Sequence, residues 1–254
     1  MIYDRYAEVY DTSGQIHFSL RMISYLADLL ERHGWQGETT LDLACGTGTL
    51  ALSFAQRGLR AYGVDASAAM LKAAEAKAHE LELHAEFSQQ DMRDFRLPEA
   101  VDLVTCCYDS LNYLLSIPDL TATFRRVREA LRPGGLFAFD VNTPWQYEHL
   151  GCGTHFAEGE GVAIVIEWTY DEDARFATIA ITGFVRKGEL YERFAEMHEQ
   201  RAYAEEEIAS ALAAAGLEEV ARYHCFGFDP PGPETPRTMW VARRPLPESG
   251  PPEG

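Results

Sequence analysis

Thr39-Thr40-Leu41-Asp42-Leu43-Ala44-Cys45-Gly46-Thr47-Gly48-Thr49-Leu50-Ala51 is the stretch whose reading decides the fold. It predicts a short buried strand, a glycine turn and the start of a helix. Leu41 and Leu43 are the apolar strand positions. Gly46 and Gly48 let the backbone turn sharply and let a ligand approach it closely. The helix, Thr47 to about Gln56, points its free N–H groups at whatever sits over the turn. Asp42 precedes the glycines, where an anion repels phosphate and suits a ligand with a positive group. The spacing Gly46-x-Gly48-x-x-Ala51 also fits the dinucleotide fingerprint. A second strand, Arg60 to Asp65, then ends in an acid. A carboxylate at that strand end accepts hydrogen bonds from both hydroxyls of a ribose. A nucleoside across the strand tips follows, without its identity.

The whole chain has 254 residues, which suits one α/β domain with room for an insertion. Its net charge of −18 argues against a chain that coats nucleic acid, because phosphate binding needs a basic face. Five cysteines without framework spacing, two of them the adjacent Cys106-Cys107, argue against a disulfide-stapled fold or a zinc site. A reduced, cytoplasmic protein is expected. Neither a signal peptide nor a transmembrane-length apolar run is read. The Pro/Gly-rich tail, 246–254, is expected to be disordered.

Taken in order, the chain opens on Tyr3-Asp4-Arg5-Tyr6-Ala7-Glu8-Val9-Tyr10-Asp11. This segment reads either as a leader packed on the domain or as a flap over the ligand cleft. Leu20, Ile23, Leu26 and Leu30 stand at helical spacing from Ile16 to about His33, and Gly34 ends that helix. A helix before the first strand is unusual for a simple dinucleotide domain. Ser67 can cap a helix to about Leu81, and residues 84–88 form the third strand. In the loop that follows, Asp91 could accept from an adenine amino group and the Met92 N–H could donate to a ring nitrogen. An acidic surface turn is the plainer reading.

Val101 to Cys107, nearly all apolar, is a strand buried on both faces. Tyr108 to Leu114 leaves its carboxyl end, where open α/β sheets bind ligands. Phe124 to Leu131 is helical, Pro133-Gly134-Gly135 breaks it, and Leu136 to Asp140 is the fifth strand. The character then changes. Residues 162–170, 176–184 and 190–203 read as three strands with short polar connections, an antiparallel insert over the cleft. A helix over 204–215 and strands near 217–226 and 238–244 complete the sheet.

Asp42-Leu-Ala-Cys-Gly-Thr-Gly48, Asp65, Gln90-Asp91-Met92, Asp102 and Arg132-Pro-Gly-Gly135 fall in an order that resembles the class I S-adenosylmethionine-dependent methyltransferases. Gln90-Asp-Met-Arg93, Cys107-Tyr-Asp-Ser-Leu-Asn-Tyr113, Phe139-Asp-Val-Asn142 and the run from Tyr191 to Arg201 are similar to the YqeM-like bacterial group. The resemblance implies an α/β, Rossmann-like fold: a seven-stranded, mostly parallel sheet with helices on both faces, plus the antiparallel insert. It divides the chain into an N-terminal helical cap (1–38), a cofactor domain (39–144 and 204–245), the insert (145–203) and the tail. It implies S-adenosylmethionine as cofactor. Gly46 and Gly48 would lie under its methionine part, beside Ala44, where the family often has glycine. Asp42 would hold its ammonium, directly or through water, and Cys106 would offer a carbonyl nearby. Asp65 would bind the ribose, Ala66 and Met70 would wall the adenine, and Asp91 with Met92 would read its edge.

Methyl transfer is an in-line displacement, so alignment and water exclusion supply much of the acceleration. A base is needed only if the nucleophile must lose a proton near neutral pH. Glu196, His198 and Gln200 share one strand face, and His198 is a candidate base or a packed histidine. Tyr108 is a second catalytic candidate. Asn112 and Tyr113 are expected to line the substrate pocket. Arg201 could pair with a substrate carboxylate or form a surface salt bridge. Trp145 could stack on an acceptor or pack in the core, and His17 could lie near the cleft. The expected activity is methyl transfer to a small molecule by a monomer or homodimer, with no metal, nucleic acid or membrane involved. The rivals are a nicotinamide-dependent oxidoreductase, a binding or regulatory protein without turnover, and methylation of RNA or protein.

Overall fold

The computed structural model describes residues 3–247. The expected disorder of the tail falls, for 248–254, outside the described residues. A 3-10 turn at Tyr6–Val9 leads into α1 (Ile16–Arg32). There follow β1 (Thr39–Leu43), α2 (Thr49–Gln56), β2 (Arg60–Asp65), α3 (Ala68–Glu80), β3 (Glu86–Gln89) and β4 (Val101–Cys106). A 3-10 turn, Ser110–Tyr113, precedes α4 (Ile117–Ala130) and β5 (Leu131–Asn142). After the short α5 (Pro144–Gln146) and a π turn come β6 (Gly153–Gly159), β7 (Val162–Asp171), β8 (Phe176–Lys187) and β9 (Leu190–Arg201). Then α6 (Glu205–Ala215), β10 (Glu218–His224) and β11 (Arg237–Arg243) close the chain.

The main sheet has seven strands in the order β10-β11-β5-β4-β1-β2-β3. β1 to β5 pair in parallel, while β11 runs antiparallel to β5 and β10 to β11. The order reverses between β1 and β4, which opens a crevice at their carboxyl ends. Strand residues alternate between two helical layers. Leu41, Leu43, Val104 and Phe137 pack with Phe124 of α4 and Leu212 of α6. Leu103, Ala138 and Val241 pack with Leu26 and Leu29 of α1 and Phe54 of α2. α1 is thus one layer of the sheet, and it is residues 3–15 that reach over the strand tips.

Several elements depart from the sequence reading. The insert has four strands, in the order β6-β7-β8-β9. β6 was not expected because its burial pattern is almost wholly exposed, so no alternation marks it. α4 starts well before Phe124. Ser116 caps it by accepting from the Asp119 N–H at 3.2 Å, with Pro118 in the first turn. β5 runs through Pro133-Gly134-Gly135, accommodated by a register shift against β4. α2 begins at Thr49 because Gly48 precedes it in the left-handed region, at φ +74°.

Candidate functional site

The crevice at the tips of β1, β2 and β4 holds a cavity that opens to solvent. Its floor is the glycine loop. Gly46 (φ +54°) lines the cavity, and a Cβ placed there would meet nothing within 4 Å. Gly48 faces the other way, where a Cβ would lie 2.8 Å from Ala74 Cβ and 2.9 Å from the Phe87 ring. It therefore shapes the loop from beneath, by close packing. Ala44 lines the cavity at φ +58°, a strained conformation for a residue with a Cβ.

Two carboxylates point into this space. Asp42 is 4 % exposed, and its Oδ1 accepts from Thr105 Oγ1 at 2.9 Å. Burial pushes its pKa up to about 7. Asp65 accepts from the Gly46 and Ser67 N–H groups, each at 2.8 Å. Burial raises its pKa, against those hydrogen bonds. Among the described residues neither acid has an ion-pair partner, and no lysine or arginine lines the cavity. Lys77 reaches two lining residues from outside, donating to Thr49 Oγ1 at 2.8 Å and Thr47 Oγ1 at 3.1 Å, and is paired with Asp11 at 2.6 Å. A buried acid and a half-buried one without a counter-cation select a cationic ligand. A pyrophosphate is the wrong charge for this cavity. A sulfonium nucleoside with an ammonium group fits it.

Ala66, Met70 and Met92 line the same cavity. Asp91 lies in an adjoining recess, with its carboxylate held by Arg93 Nη2 at 2.6 Å and Nε at 2.9 Å. At the tip of β4 it is Cys107, not Cys106, that reaches the cavity. Cys106 is fully buried one position earlier, paired with Phe139 in the sheet.

A second chamber lies between the strand tips and the four-stranded sheet. Tyr3, Tyr10, Phe18, Tyr108 and Tyr113 line both chambers, so the two adjoin through an aromatic wall. The opening segment is thus part of the cleft. His198, fully buried on β9, lines the second chamber. Its Nε2 lies 3.0 Å from Glu196 Oε2 and its Nδ1 lies 3.0 Å from the Tyr113 hydroxyl, which is 2.7 Å from that of Tyr3. With Nε2 donating to the carboxylate, Nδ1 is left to accept. Glu196 also accepts from the backbone N–H groups of Tyr3 (2.7 Å), Arg5 (2.8 Å) and Tyr6 (3.0 Å). Burial alone would raise its pKa, but these bonds and His198 lower it to about 2.

Tyr108 and Asp109 both have positive φ, +63° and +49°. Asp140 holds them there, accepting from the Tyr108 N–H at 2.7 Å and the Asp109 N–H at 3.1 Å. Arg237 lies between Asp140 and Asp109, 2.7 Å from Asp109 Oδ1. Gln200 Nε2 donates to Asp109 Oδ2 at 2.6 Å, and Gln200 Oε1 accepts from the Tyr147 hydroxyl at 2.8 Å. The Tyr108 ring stacks on Phe18 at 4.0 Å and its hydroxyl donates to Gln15. Burial raises the Tyr108 pKa, so the phenol stays protonated.

Three expected substrate contacts fall elsewhere. The Arg201 guanidinium leaves the cleft for Glu207, at 3.1 Å. Asn112 is fully buried and bridges backbones, accepting from the Asn142 N–H at 3.0 Å and donating to Arg201 O at 2.8 Å. Trp145 stacks on His149 at 4.7 Å, beside a separate groove. His17 is exposed and lines neither chamber. Asp109, Asp140 and Arg237 had not been singled out. The two acids sit inside Cys107-Tyr-Asp109, just past β4, and Phe139-Asp140, near the end of β5, where a buried acid signals a job. Arg237 has no local signal, because its partners are distant in sequence.

Comparison with known proteins agrees with this geometry. Residues 40–135 match the model of a methyltransferase domain. The YqeM protein of Bacillus subtilis (strain 168) is 32% identical over 86% of this chain and 87% of its own. A dTDP-3-amino-3,4,6-trideoxy-alpha-D-glucopyranose N,N-dimethyltransferase of Streptomyces venezuelae is 28% identical over 76% of this chain and 81% of its own. The crystal structure of an S-adenosylmethionine-dependent methyltransferase from Clostridium acetobutylicum ATCC 824 superposes with a TM-score of 0.84, at 29% identity, over 96% of this chain and 100% of that one. The chain is a class I methyltransferase, an enzyme with S-adenosylmethionine as cofactor. Within that class it belongs to the YqeM-like family.

Proposed function

We propose that the chain methylates a small molecule held in the second chamber, with the cofactor in the first. The observation that carries this reading is a cavity lined by the buried Asp42 and the half-buried Asp65, with no lysine or arginine among its described lining residues, joined by an aromatic wall to a chamber roofed by the insert. When bound, S-adenosylmethionine supplies an electrophilic methyl group on a sulfonium. Asp42 holds its ammonium and Asp65 its ribose. Gly46 leaves room for its methionine part, and Met70 and Met92 cover its base. The tyrosine wall excludes water around the acceptor. His198 is the base: its Nδ1 takes the acceptor's proton through the Tyr113 hydroxyl, while Glu196 fixes the ring and stabilises the imidazolium. Relatives include a sugar N,N-dimethyltransferase, which supports a small acceptor. Five free cysteines and the lack of any helix, among the described residues, long and apolar enough to cross a membrane are consistent with work in the cytoplasm.

Calorimetry with S-adenosylmethionine and S-adenosylhomocysteine tests the cofactor half, with NADH and Asp65→Ala as controls. Saturable binding is expected, with NADH inert and the variant weakened about 100-fold, since two hydrogen bonds to a charged group are lost. NADH binding in place of the nucleosides would sink the reading.

A further inference from the structure

The second chamber combines aromatic faces, unbalanced negative charge and an unmatched carbonyl. Tyr6, Tyr10, Tyr108, Tyr113, Phe18 and Trp168 supply rings to its wall. Arg237 is the only arginine or lysine among its described lining residues, and it is committed. It lies between Asp109 and Asp140, with its guanidinium 4.7 Å from the Phe18 ring centroid. Their charges raise its pKa although burial opposes this. Asp109, which lines the chamber, and Asp140 behind it share that single guanidinium, two carboxylates to one cation, so this wall is negative. A carboxylate or phosphate on the acceptor would find no uncommitted arginine or lysine among the described lining residues and would meet Asp109. Asn142 is 2 % exposed and lines the chamber, and its Oδ1 has no hydrogen-bond partner among the described residues. A buried carbonyl of this kind needs an N–H or O–H donor.

A ligand that satisfies all three features is positively charged, carries N–H donors and presents an apolar body to the rings. We propose that the chamber binds a primary or secondary ammonium and that the acceptor atom is its nitrogen. The inference rests on the methyltransferase reading above and adds the acceptor class. The chemistry balances. The ammonium gives a proton to the Tyr113 hydroxyl as that hydroxyl passes its own to His198 Nδ1, 3.0 Å away. The freed lone pair forms the N–C bond to the methyl carbon. The C–S bond breaks with its electron pair going to sulfur, which becomes a neutral thioether, and the methylated nitrogen keeps the positive charge. Among the described lining residues the one guanidinium is held by Asp109 and Asp140, so Arg237 shapes the pocket and does not read the substrate.

Three probes of one shape separate the possibilities: benzylamine, benzyl alcohol and phenylacetate, titrated by ligand-detected NMR against the full chain saturated with S-adenosylhomocysteine. Benzylamine should bind saturably and at least about tenfold tighter than benzyl alcohol, with phenylacetate unbound. Asn142→Leu should weaken benzylamine about fivefold or more and leave S-adenosylhomocysteine affinity unchanged, which also certifies the fold. Trp168→Leu, on the roof, should weaken it independently. Phenylacetate binding as well as benzylamine, or no saturable benzylamine binding in a chain that holds S-adenosylhomocysteine, would overturn the acceptor class alone. Loss of S-adenosylhomocysteine binding in the wild-type chain would instead overturn the reading beneath it.

Discussion

The two chambers share a wall but are built differently. The first is made by turns at strand tips, where each group is held by near neighbours: Asp65 by the amides of Gly46 and Ser67, and Asp42 by Thr105 across one strand pair. The second is made by side chains from remote elements. Glu196 of β9 grips Tyr3, Arg5 and Tyr6, and Arg237 of β11 binds Asp109, which follows β4, and Asp140 of β5. A local site can keep its geometry when a distant element loosens. A distributed one has to be assembled by the whole fold, and its stability and its shape are one property.

The largest way to break this contrast is Arg237→Gln. It strands Asp109 and Asp140 as neighbouring buried acids, and urea unfolding should show a loss of about 3–5 kcal/mol. A loss under about 1 kcal/mol would show that the second chamber does not depend on this triad. Next comes Glu196→Gln. Its carboxylate titrates near 2 in the folded chain against about 4.5 unfolded, so its stabilisation is complete above pH 4.5 and fades as pH falls toward 2. The variant should lose on the order of 2 kcal/mol at pH 7 and should equal the wild type near pH 2. It should also free residues 3–10 to fast hydrogen exchange while S-adenosylhomocysteine binding survives.

A smaller effect sharpens the first chamber. Asp42 titrates near 7, raised from its ordinary range, so it opposes folding increasingly as pH rises from about 4 to 7. A cationic ligand favours its ionised form and releases a proton below pH 7. S-adenosylhomocysteine should bind about tenfold tighter at pH 8 than at pH 6. Asp42→Asn should remove the protein's share of that slope, and calorimetry in buffers of different ionisation enthalpy should read the released proton. Smallest is Ala44→Gly, which relieves a φ of +58° and should add about 0.5–1 kcal/mol in thermal melts.

The same contrast governs what could be read from residues alone. Strand, glycine turn and acid are neighbours along the chain, so Asp42, Gly46, Asp65, Met70 and Met92 are legible as a set, and all line the first cavity. The alternation of β9 likewise predicts that Glu196, His198 and Gln200 share a face. What it cannot convey is which partners that face meets. Tyr113 belongs to a turn 85 residues away from His198. Arg201 stands one step past Gln200, and period two sends it to Glu207 instead of the acceptor. β6 escapes notice because an edge strand with an exposed pattern carries no apolar signal.

The grip of Glu196 on Tyr3 spans 193 residues of chain. During synthesis, then, the segment that carries Tyr3 is made early and settles late, since β9 must be made before Tyr3 has Glu196 to hold. Until that moment Tyr3, Tyr6, Val9 and Tyr10 lie open to solvent and to chaperones.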